Sequence, residues 1–225
     1  MDMVFCCNPK HPYAEICGTV LSPQIVLSES NTSYFGVRFL PGYNPVLGSA
    51  DIMSHLVNHR IPLDDLIQDR RMLEGICNTT DFRQQIRVFM RSYMSIYRRV
   101  CSQEHQNLLV LHSSNLMIRS AGSISIEQLA EDTGYTTRYI DKCFRNETGL
   151  SPKQLAKIVR FQSAISALNQ NQHVGRSLTE IAADLGYFDQ SHFVHDFKAY
   201  TGLTPKKYQI MLRNDDFDEK LRIVQ

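Results

Sequence analysis

An internal repeat in the C-terminal half of the chain constrains its fold more than any other feature. The segment from Ser123 to Leu155 recurs from Ser177 to Tyr208, with an offset of 52 residues that becomes 53 after one inserted residue. The matched residues are Leu129, Ala130, Gly134, Tyr135, Ile140, Phe144, Thr148, Gly149, Leu150 and Pro152 in the first copy, and Ile181, Ala182, Gly186, Tyr187, Phe193, Phe197, Thr201, Gly202, Leu203 and Pro205 in the second. This agreement predicts that the chain builds the same structural unit twice.

Each copy has the pattern of two short helices joined by a tight turn. Ser125 with Gln128, and Ser177 with Glu180, have capping-box spacing, in which a serine and the residue three positions later cap each other's backbone. The second helices are expected to begin at an N-cap and to bury an apolar stripe. The expected N-caps are Thr136 or Thr137 and Asp189, and the stripes are Ile140 with Phe144 and Phe193 with Phe197.

Glycines occupy the positions where each copy must turn or stop. Gly134 and Gly186 are expected between the two helices with positive φ, which other residues adopt only at a cost. Gly149 and Gly202 are expected to end the second helices, and Pro152 and Pro205 suit the first turn of the helices that follow. Two short helices around a glycine turn form a helix-turn-helix. The two units are predicted at about 125–148 and 177–201.

The residues left outside the apolar stripes indicate what the second helices contact. Polar and charged side chains remain on both exposed faces, and such groups can read base edges in the major groove of DNA. They are Arg138, Tyr139, Asp141, Lys142 and Arg145 in the first copy, and Gln190, Ser191, His192, His195 and Lys198 in the second. The alternative interpretation is that both sets are solvated surfaces of ordinary helices.

One long helix is predicted between the two copies, from Pro152 to about Asn169. Its apolar residues recur every three or four positions, and its length is roughly 25 Å at about 1.5 Å per residue. Major-groove segments on one face of B-DNA recur about every 34 Å. The helix is therefore expected to act as a stiff spacer between two DNA-reading units.

These features resemble the AraC/XylS family of regulators over roughly Gln103 to Arg213. The most specific stretch is IAADLGYFDQSHFVHDFKAYTGLTPKKY, from Ile181 to Tyr208. The resemblance implies that Arg138, Asp141 and Lys142, together with Gln190, Ser191 and His195, read bases. Phosphate contacts are assigned to Arg145, Lys198, Lys206 and Lys207. Asp141 is acidic, and His195 stands where the family often has arginine, so these two positions depart from the usual base-reading chemistry.

The N-terminal 102 residues have a different character. Short β-like runs occur at Met3 to Cys7, Ile16 to Leu21, Ile25 to Leu27 and Tyr34 to Leu40, and helices are expected at Ser49 to Asn58, Leu63 to Ile67 and Thr80 to Cys101. The segments YFGVRFLPGYNPVLG and RIPLDDL resemble sensing domains attached to some AraC-type regulators. The β portion is expected to be a reduced or truncated barrel, so binding of a small-molecule effector stays an open question.

The apolar stripe of the Thr80–Cys101 helix has two interpretations. Its residues are Ile86, Phe89, Met90, Tyr93, Ile96, Tyr97 and Val100. The helix packs either on its own domain or against a second copy of the chain, and the family resemblance suggests a homodimer.

Composition narrows the class of protein. The net charge is only +1 over 225 residues, so the DNA-binding prediction depends on pattern and not on charge. The six scattered cysteines predict reduced, mostly buried thiols and neither a disulfide scaffold nor a zinc site. Asp51, His55 and His59 would share one face of a helix, but no fourth ligand lies nearby. The sequence shows no basic-then-apolar leader and no apolar run long enough to cross a membrane, so a soluble intracellular protein is expected.

The predicted fold class is α+β, with an all-α double helix-turn-helix domain (103–214) after a small mixed β/α sensing or dimerisation domain (1–102), and an acidic tail at 215–225. The expected function is sequence-specific regulation of transcription, with activation implied by the resemblance. Double-stranded DNA and RNA polymerase are the implied partners, and a bacterial cytoplasm, with the protein on the nucleoid when bound, is the expected location. An enzyme is disfavoured because no catalytic motif is present, and no cofactor is expected. The remaining alternative is a helix-turn-helix interaction module that has lost DNA binding and acts as a decoy partner.

Overall fold

In the described residues, the fold consists of a small N-terminal sheet with four helices and a C-terminal half whose regular elements are all helices. The structure is a computed structural model that describes residues 1–24, 29–43, 45, 51–67, 70–100, 108–171 and 175–213. This arrangement confirms the predicted α+β class. The predicted domain boundary at 102/103 and the acidic tail lie outside the described residues. Within the described ranges, no helix has the length and apolarity needed to span a membrane.

The N-terminal sheet is an open antiparallel sheet in the order β3-β1-β2-β4. Its strands are β1 (Asp2–Cys7), β2 (Tyr13–Cys17), β3 (Ser33–Arg38) and β4 (Arg60–Pro62). In the central strand β1, Phe5 pairs with Ala14 on one side and with Phe35 on the other. These three side chains are buried. They therefore belong to the apolar core between the sheet and its helices.

Some predicted strands differ from the observed ones. The predicted strand Ile16 to Leu21 ends at Cys17, because Gly18 lies directly against the backbone carbonyl of Leu56 and the chain leaves the sheet there. The run Ile25 to Leu27 lies outside the described residues. Strand β4 was not predicted, because three residues are too few to show an alternating pattern.

Four helices accompany the sheet, namely α1 (Asp51–Leu56), α2 (Leu63–Leu66), α3 (Arg71–Cys77) and α4 (Phe82–Val100). Helix α3 is an addition to the prediction. Helix α1 is shorter than expected, because Asn58 adopts a positive φ of 62° and turns the chain before His59. His59 is therefore not on a helix with Asp51 and His55, and the described part of the chain holds no group of three His, Cys, Asp or Glu placed for a metal.

The expectation that all cysteines are reduced is wrong for one pair. Cys7 at the end of β1 and Cys77 at the end of α3 form a disulfide, with a Cα–Cα distance of 5.0 Å. The two are 70 residues apart, so spacing gave no sign of the pair. Cys6, Cys17 and Cys143 are free and buried as predicted. Burial raises the pKa of the Cys17 thiol to about 12.

Helix α4 divides its apolar stripe between two environments. Phe89 and Ile96 are buried in the N-terminal core, and Phe89 stacks on Tyr93 with 5.4 Å between ring centroids. Ile86 and Met90 are exposed instead. Packing on its own domain is therefore confirmed for one half of the stripe.

The C-terminal half comprises seven helices in the described ranges. They are α5 (Leu108–Arg119), α6 (Ile126–Thr133), α7 (Thr137–Thr148), α8 (Pro152–Gln170), α9 (Leu178–Asp184), α10 (Gln190–Thr201) and α11 (Pro205–Arg213). Helices α6–α7 and α9–α10 are the two predicted helix-turn-helix units. Helix α8 contributes to both of their cores, because Leu155 and Ile158 pack in the first and Phe161 and Leu168 pack in the second.

The local signals that define these helices are all present. Both predicted capping boxes form, at Ser125 and Ser177. Thr136 and Asp189 are the N-caps of α7 and α10. Gly134 and Gly186 have positive φ as predicted, and so do Gly149 and Gly202, which end the second helices as expected. Short-range sequence signals therefore determine where each helix of the two units begins and ends.

The N-terminal half packs directly against the first unit. Helix α1 contacts α7, and Leu21 and Val57 pack against the core of the first unit. Gly42 lies so close to α5 that an added Cβ would be 2.4 Å from Ser114. Helix α7, the second helix of the first unit, is therefore packed against the N-terminal half.

We predict that Gly186→Ala lowers the free energy of unfolding more than Gly134→Ala. Both glycines have φ near +71°, so each variant incurs the same left-handed strain of about 1–2 kcal/mol. An added Cβ at Gly134 meets nothing within 4 Å, whereas at Gly186 it lies 3.0 Å from Cβ of Ser123. The expected extra loss is about 1 kcal/mol, measured by urea denaturation. Equal losses in the two variants would show that the contact with Ser123 has no energetic weight.

Candidate nucleic-acid interface

The exposed face of α7 brings the first set of predicted residues together. Arg138, Asp141, Lys142 and Arg145 line one shallow concavity with Thr136, Tyr139 and Asn146. Ile140 and Phe144 on the opposite face are completely buried. The helix is fixed from behind, so these polar side chains project from a rigid support.

Asp141 and Arg145 form an ion pair across one turn of α7. Nε of Arg145 donates to Oδ2 of Asp141 at 2.7 Å. The side chains are 58% and 42% exposed, so water screens the pair and its contribution to stability is small. Its consequence is instead that Arg145, assigned to phosphate, is partly occupied by a carboxylate of the same face.

Tyr135, which stacks on the predicted residue Tyr139, extends the first face beyond the predicted residues. The rings of Tyr135 and Tyr139 lie 5.1 Å apart, and both are about half exposed. A hydrogen bond with the Cys143 thiol raises the pKa of the Tyr139 hydroxyl, which therefore stays neutral and can donate or accept a hydrogen bond. The sequence alone did not indicate that Tyr135 is exposed. Its repeat counterpart Tyr187 is buried, so the same repeat position has two different environments.

The second face is presented by α10. Gln190, Ser191 and His195 are exposed, and the His195 side chain is 84% exposed. Gln190 Oε1 accepts a hydrogen bond from the hydroxyl of Thr179 at 2.8 Å, which orients the amide from the neighbouring helix α9. The N-terminal end of α10 therefore carries a positioned amide beside a free hydroxyl.

Asp196 is a residue of this region that the sequence pattern did not single out. Its side chain is only 13% exposed and lies within ion-pair distance of Lys157, His192 and His195. Together with burial, the Asp196 charge raises the pKa of the nearby Tyr187 hydroxyl. Asp196 thus lies between the two histidines of α10 and Lys157 of the linker helix α8.

The four residues assigned to phosphate are spread over three helices. Arg145 and Lys198 lie in the last turns of α7 and α10, and Lys206 and Lys207 lie in the first turn of α11. All four are exposed. Arg145 and Lys198 occupy equivalent positions in the two units, because they are separated by the repeat offset of 53 residues.

Arg160 of α8 connects the first unit to the second. Its Nη2 and Nε donate to the carbonyl oxygen of Gly122 at 2.7 and 3.2 Å, just before α6. The same guanidinium lies over the ring of Tyr187, 5.3 Å from the centroid, in the turn before α10. Such a contact contributes about 0.5–2 kcal/mol and fixes both partners in position. Gly122 permits this approach, because an added Cβ would be 2.3 Å from the carbonyl oxygen of Ala156.

Comparison with known proteins agrees with this geometry. A family described as a helix-turn-helix domain matches residues 129–210, which include both turns and the whole linker helix. This segment is a helix-turn-helix domain of the AraC/XylS type. The predicted resemblance of the C-terminal half is therefore confirmed.

Relatives with this type of domain are named as transcription regulators. A regulator of Haemophilus influenzae is 37% identical over 84 residues, 37% of this chain and 27% of the relative. The transcriptional activator AarP of Providencia stuartii is 26% identical over 119 residues, which are 53% of this chain and 83% of that protein. The XylDLEGF operon activator of Pseudomonas putida is 30% identical over 83 residues, which are 37% of this chain and 26% of that protein. The chain thus spans about a quarter of the length of the first and third.

Two solved structures are also similar in part. The C-terminal domain of AraT from Geobacillus stearothermophilus has 23% identity and a TM-score of 0.41, covering 46% of this chain and 84% of that one. An AraC family regulator of Rhodopseudomonas palustris has 26% identity and a TM-score of 0.38, covering 45% and 97%.

We predict that Asp141→Asn strengthens binding to duplexes of random sequence by about three- to ten-fold. The substitution frees Arg145 for phosphate, so the salt dependence of the affinity should steepen by about one contact. Titrations by fluorescence anisotropy at several salt concentrations would measure both effects. In an Arg145→Gln background the same substitution should leave the slope unchanged. A wild-type slope in the single variant would contradict the idea that Asp141 competes for Arg145.

Proposed function

We propose that this chain is a transcription regulator, of the activating type, that binds double-stranded DNA sequence-specifically in the bacterial cytoplasm. The observation that carries the proposal is the duplicated recognition helix, with a polar exposed face on both α7 and α10. Two ordinary surface helices would have no reason to carry matched polar faces. Two such faces joined by one linker helix can enter successive major-groove segments of a duplex. The names of the AarP and XylDLEGF relatives favour activation, for which RNA polymerase is the expected partner.

The two units would read two half-elements about one helical turn apart on the same face of the duplex. Helix α8 has 19 residues, or about 28 Å at 1.5 Å per residue, close to the 34 Å repeat of the major groove. Arg160 and the shared core of α8 support a fixed orientation of the two recognition helices. In this arrangement Arg138, Asp141 and Lys142 read one half-element, and Gln190, Ser191 and His195 read the other.

The spacing of the bound site tests this proposal. Selection from a random duplex pool would first give the recognised sequence, and an insertion of about five base pairs would then place the half-elements on opposite faces. The wild-type chain should lose most of its affinity for the altered site. Arg160→Met should bind both sites more nearly alike, because the contact to Gly122 is lost. Undiminished wild-type binding would mean that only one unit touches bases, and binding to no duplex at all would favour the decoy alternative.

Individual side chains should separate base reading from phosphate contact. Arg138→Ala should cost about 1–3 kcal/mol of binding free energy and relax base preference in one half-element, and His195→Ala should do so in the other. Lys206→Ala should weaken all sequences alike and reduce the salt slope by about one. Equal effects of Arg138→Ala on matched and mismatched sites would remove Arg138 from the base-reading set.

We also propose that the chain forms a homodimer through α4. Four exposed apolar residues follow one another along this helix at intervals of four, namely Phe82, Ile86, Met90 and Met94. A continuous apolar stripe on the surface is typical of an interface. A dimer would cover the half of the α4 stripe that the N-terminal core leaves exposed.

We predict that Met90→Glu produces a monomer, because it places a charge within the apolar interface. Sedimentation velocity of the wild-type chain should show a dimer of about twice 25.9 kDa. Ser95→Glu is a matched control, since it adds the same charge on an exposed position of α4 roughly 140° around the helix from the Met90 side chain. A monomeric wild-type chain, or dissociation by both variants, would exclude this interface.

A further inference from the structure

Phe188 is the single residue by which the second helix-turn-helix unit exceeds the first. Tyr135 corresponds to Tyr187 at an offset of 52, whereas the N-caps Thr136 and Asp189 correspond at an offset of 53. Phe188 therefore has no counterpart in the first unit. The turn of the second unit therefore contains one extra residue between Tyr187, which matches Tyr135, and Asp189, the N-cap of α10.

The extra residue makes no use of its aromatic ring in folding. Phe188 is 94% exposed, the highest value among the large apolar side chains exposed in the described part of the chain. Both neighbours are engaged inward, since Tyr187 is buried and Oδ1 of Asp189 accepts the backbone N–H of His192 at 2.7 Å. The turn thus holds an unpacked phenylalanine outward on a fixed backbone.

The place of Phe188 indicates what its ring contacts. It lies two residues before Gln190, at the N-terminal end of α10, and recognition helices of helix-turn-helix proteins contact base edges with their N-terminal residues. Gln190 and Ser191, also exposed, supply polar contacts at the same end. The one apolar group on the base edges of the major groove is the C5-methyl of thymine, and phenylalanine is one of the side chains that contact it.

We propose that Phe188 recognises thymine in the half-element read by α10, through contact of its ring with the C5-methyl group. This inference rests on the proposed DNA binding and deepens it. The two units then differ in chemistry. The first presents the hydroxyl-bearing pair Tyr135 and Tyr139, and the second presents an apolar ring, so the half-elements differ in sequence and fix the direction in which the protein binds.

Replacement of thymine by deoxyuridine tests the contact atom by atom, because it removes only the methyl group. With the full-length chain and its selected duplex, replacement at one thymine of the α10 half-element should weaken wild-type binding about four-fold, the value of one buried methyl group. Phe188→Ala should weaken binding to the thymine duplex by a similar or larger factor and should be insensitive to the replacement. Replacements in the other half-element should affect both proteins equally.

Controls separate this contact from other roles of an exposed aromatic residue. Leu40→Ala truncates another side chain that is 61% exposed, on the N-terminal half, and should leave DNA affinity unchanged. Phe188→Ala should unfold at the wild-type temperature, since the ring packs on nothing. The proposal is overturned if no deoxyuridine replacement distinguishes wild type from Phe188→Ala, including the case in which the variant binds DNA normally and loses only activation with RNA polymerase. Failure of the wild-type chain to bind any duplex would instead remove the proposed function itself.

Discussion

The contact of Arg160 with the carbonyl oxygen of Gly122 and the ring of Tyr187 links the helices of the C-terminal half to one another. One guanidinium, on the helix between the two helix-turn-helix units, reaches the loop just before the first unit and the turn of the second. Its planar group can donate two hydrogen bonds to one carbonyl while its face lies over an aromatic ring, which a lysine ammonium does not reproduce. Helix α8 reinforces this connection, because its first half is buried in one unit and its second half in the other.

The Arg160 contact also accounts for the different burial of two tyrosines at matched repeat positions. Tyr187 is buried because it lies between Arg160 and Phe193, 5.2 Å from the Phe193 ring. Tyr135 occupies the same repeat position without such a partner, and it stacks on Tyr139 at the surface. Equal sequence positions therefore acquire different roles, one structural and one at the candidate interface.

The N-terminal half contacts the first helix-turn-helix unit and helix α5 directly. Helix α1 packs on α7, and Gly42 lies against Ser114 of α5. The disulfide between Cys7 and Cys77 ties the central strand to α3 within the same half. A change in the N-terminal half would consequently reach α7 through its contact with α1. The end of α10 also lies near this half, because a Cβ added at Gly202 would be 4.0 Å from Pro23.

The sequence by itself determined the double helix-turn-helix, because its capping serines, turn glycines and apolar stripes act within a few residues of one another. Ser125, Gly134 and Phe144 have local roles that spacing reveals. Only the tertiary structure decided which polar residues have partners on other helices. Asp196 of α10 lies within ion-pair distance of Lys157 of α8, and Gln190 accepts a hydrogen bond from Thr179 of α9. It also decided the Cys7–Cys77 pair, the short strand β4 and the burial of Tyr187 but not of Tyr135, because each depends on residues distant in the chain that periodicity does not bring together.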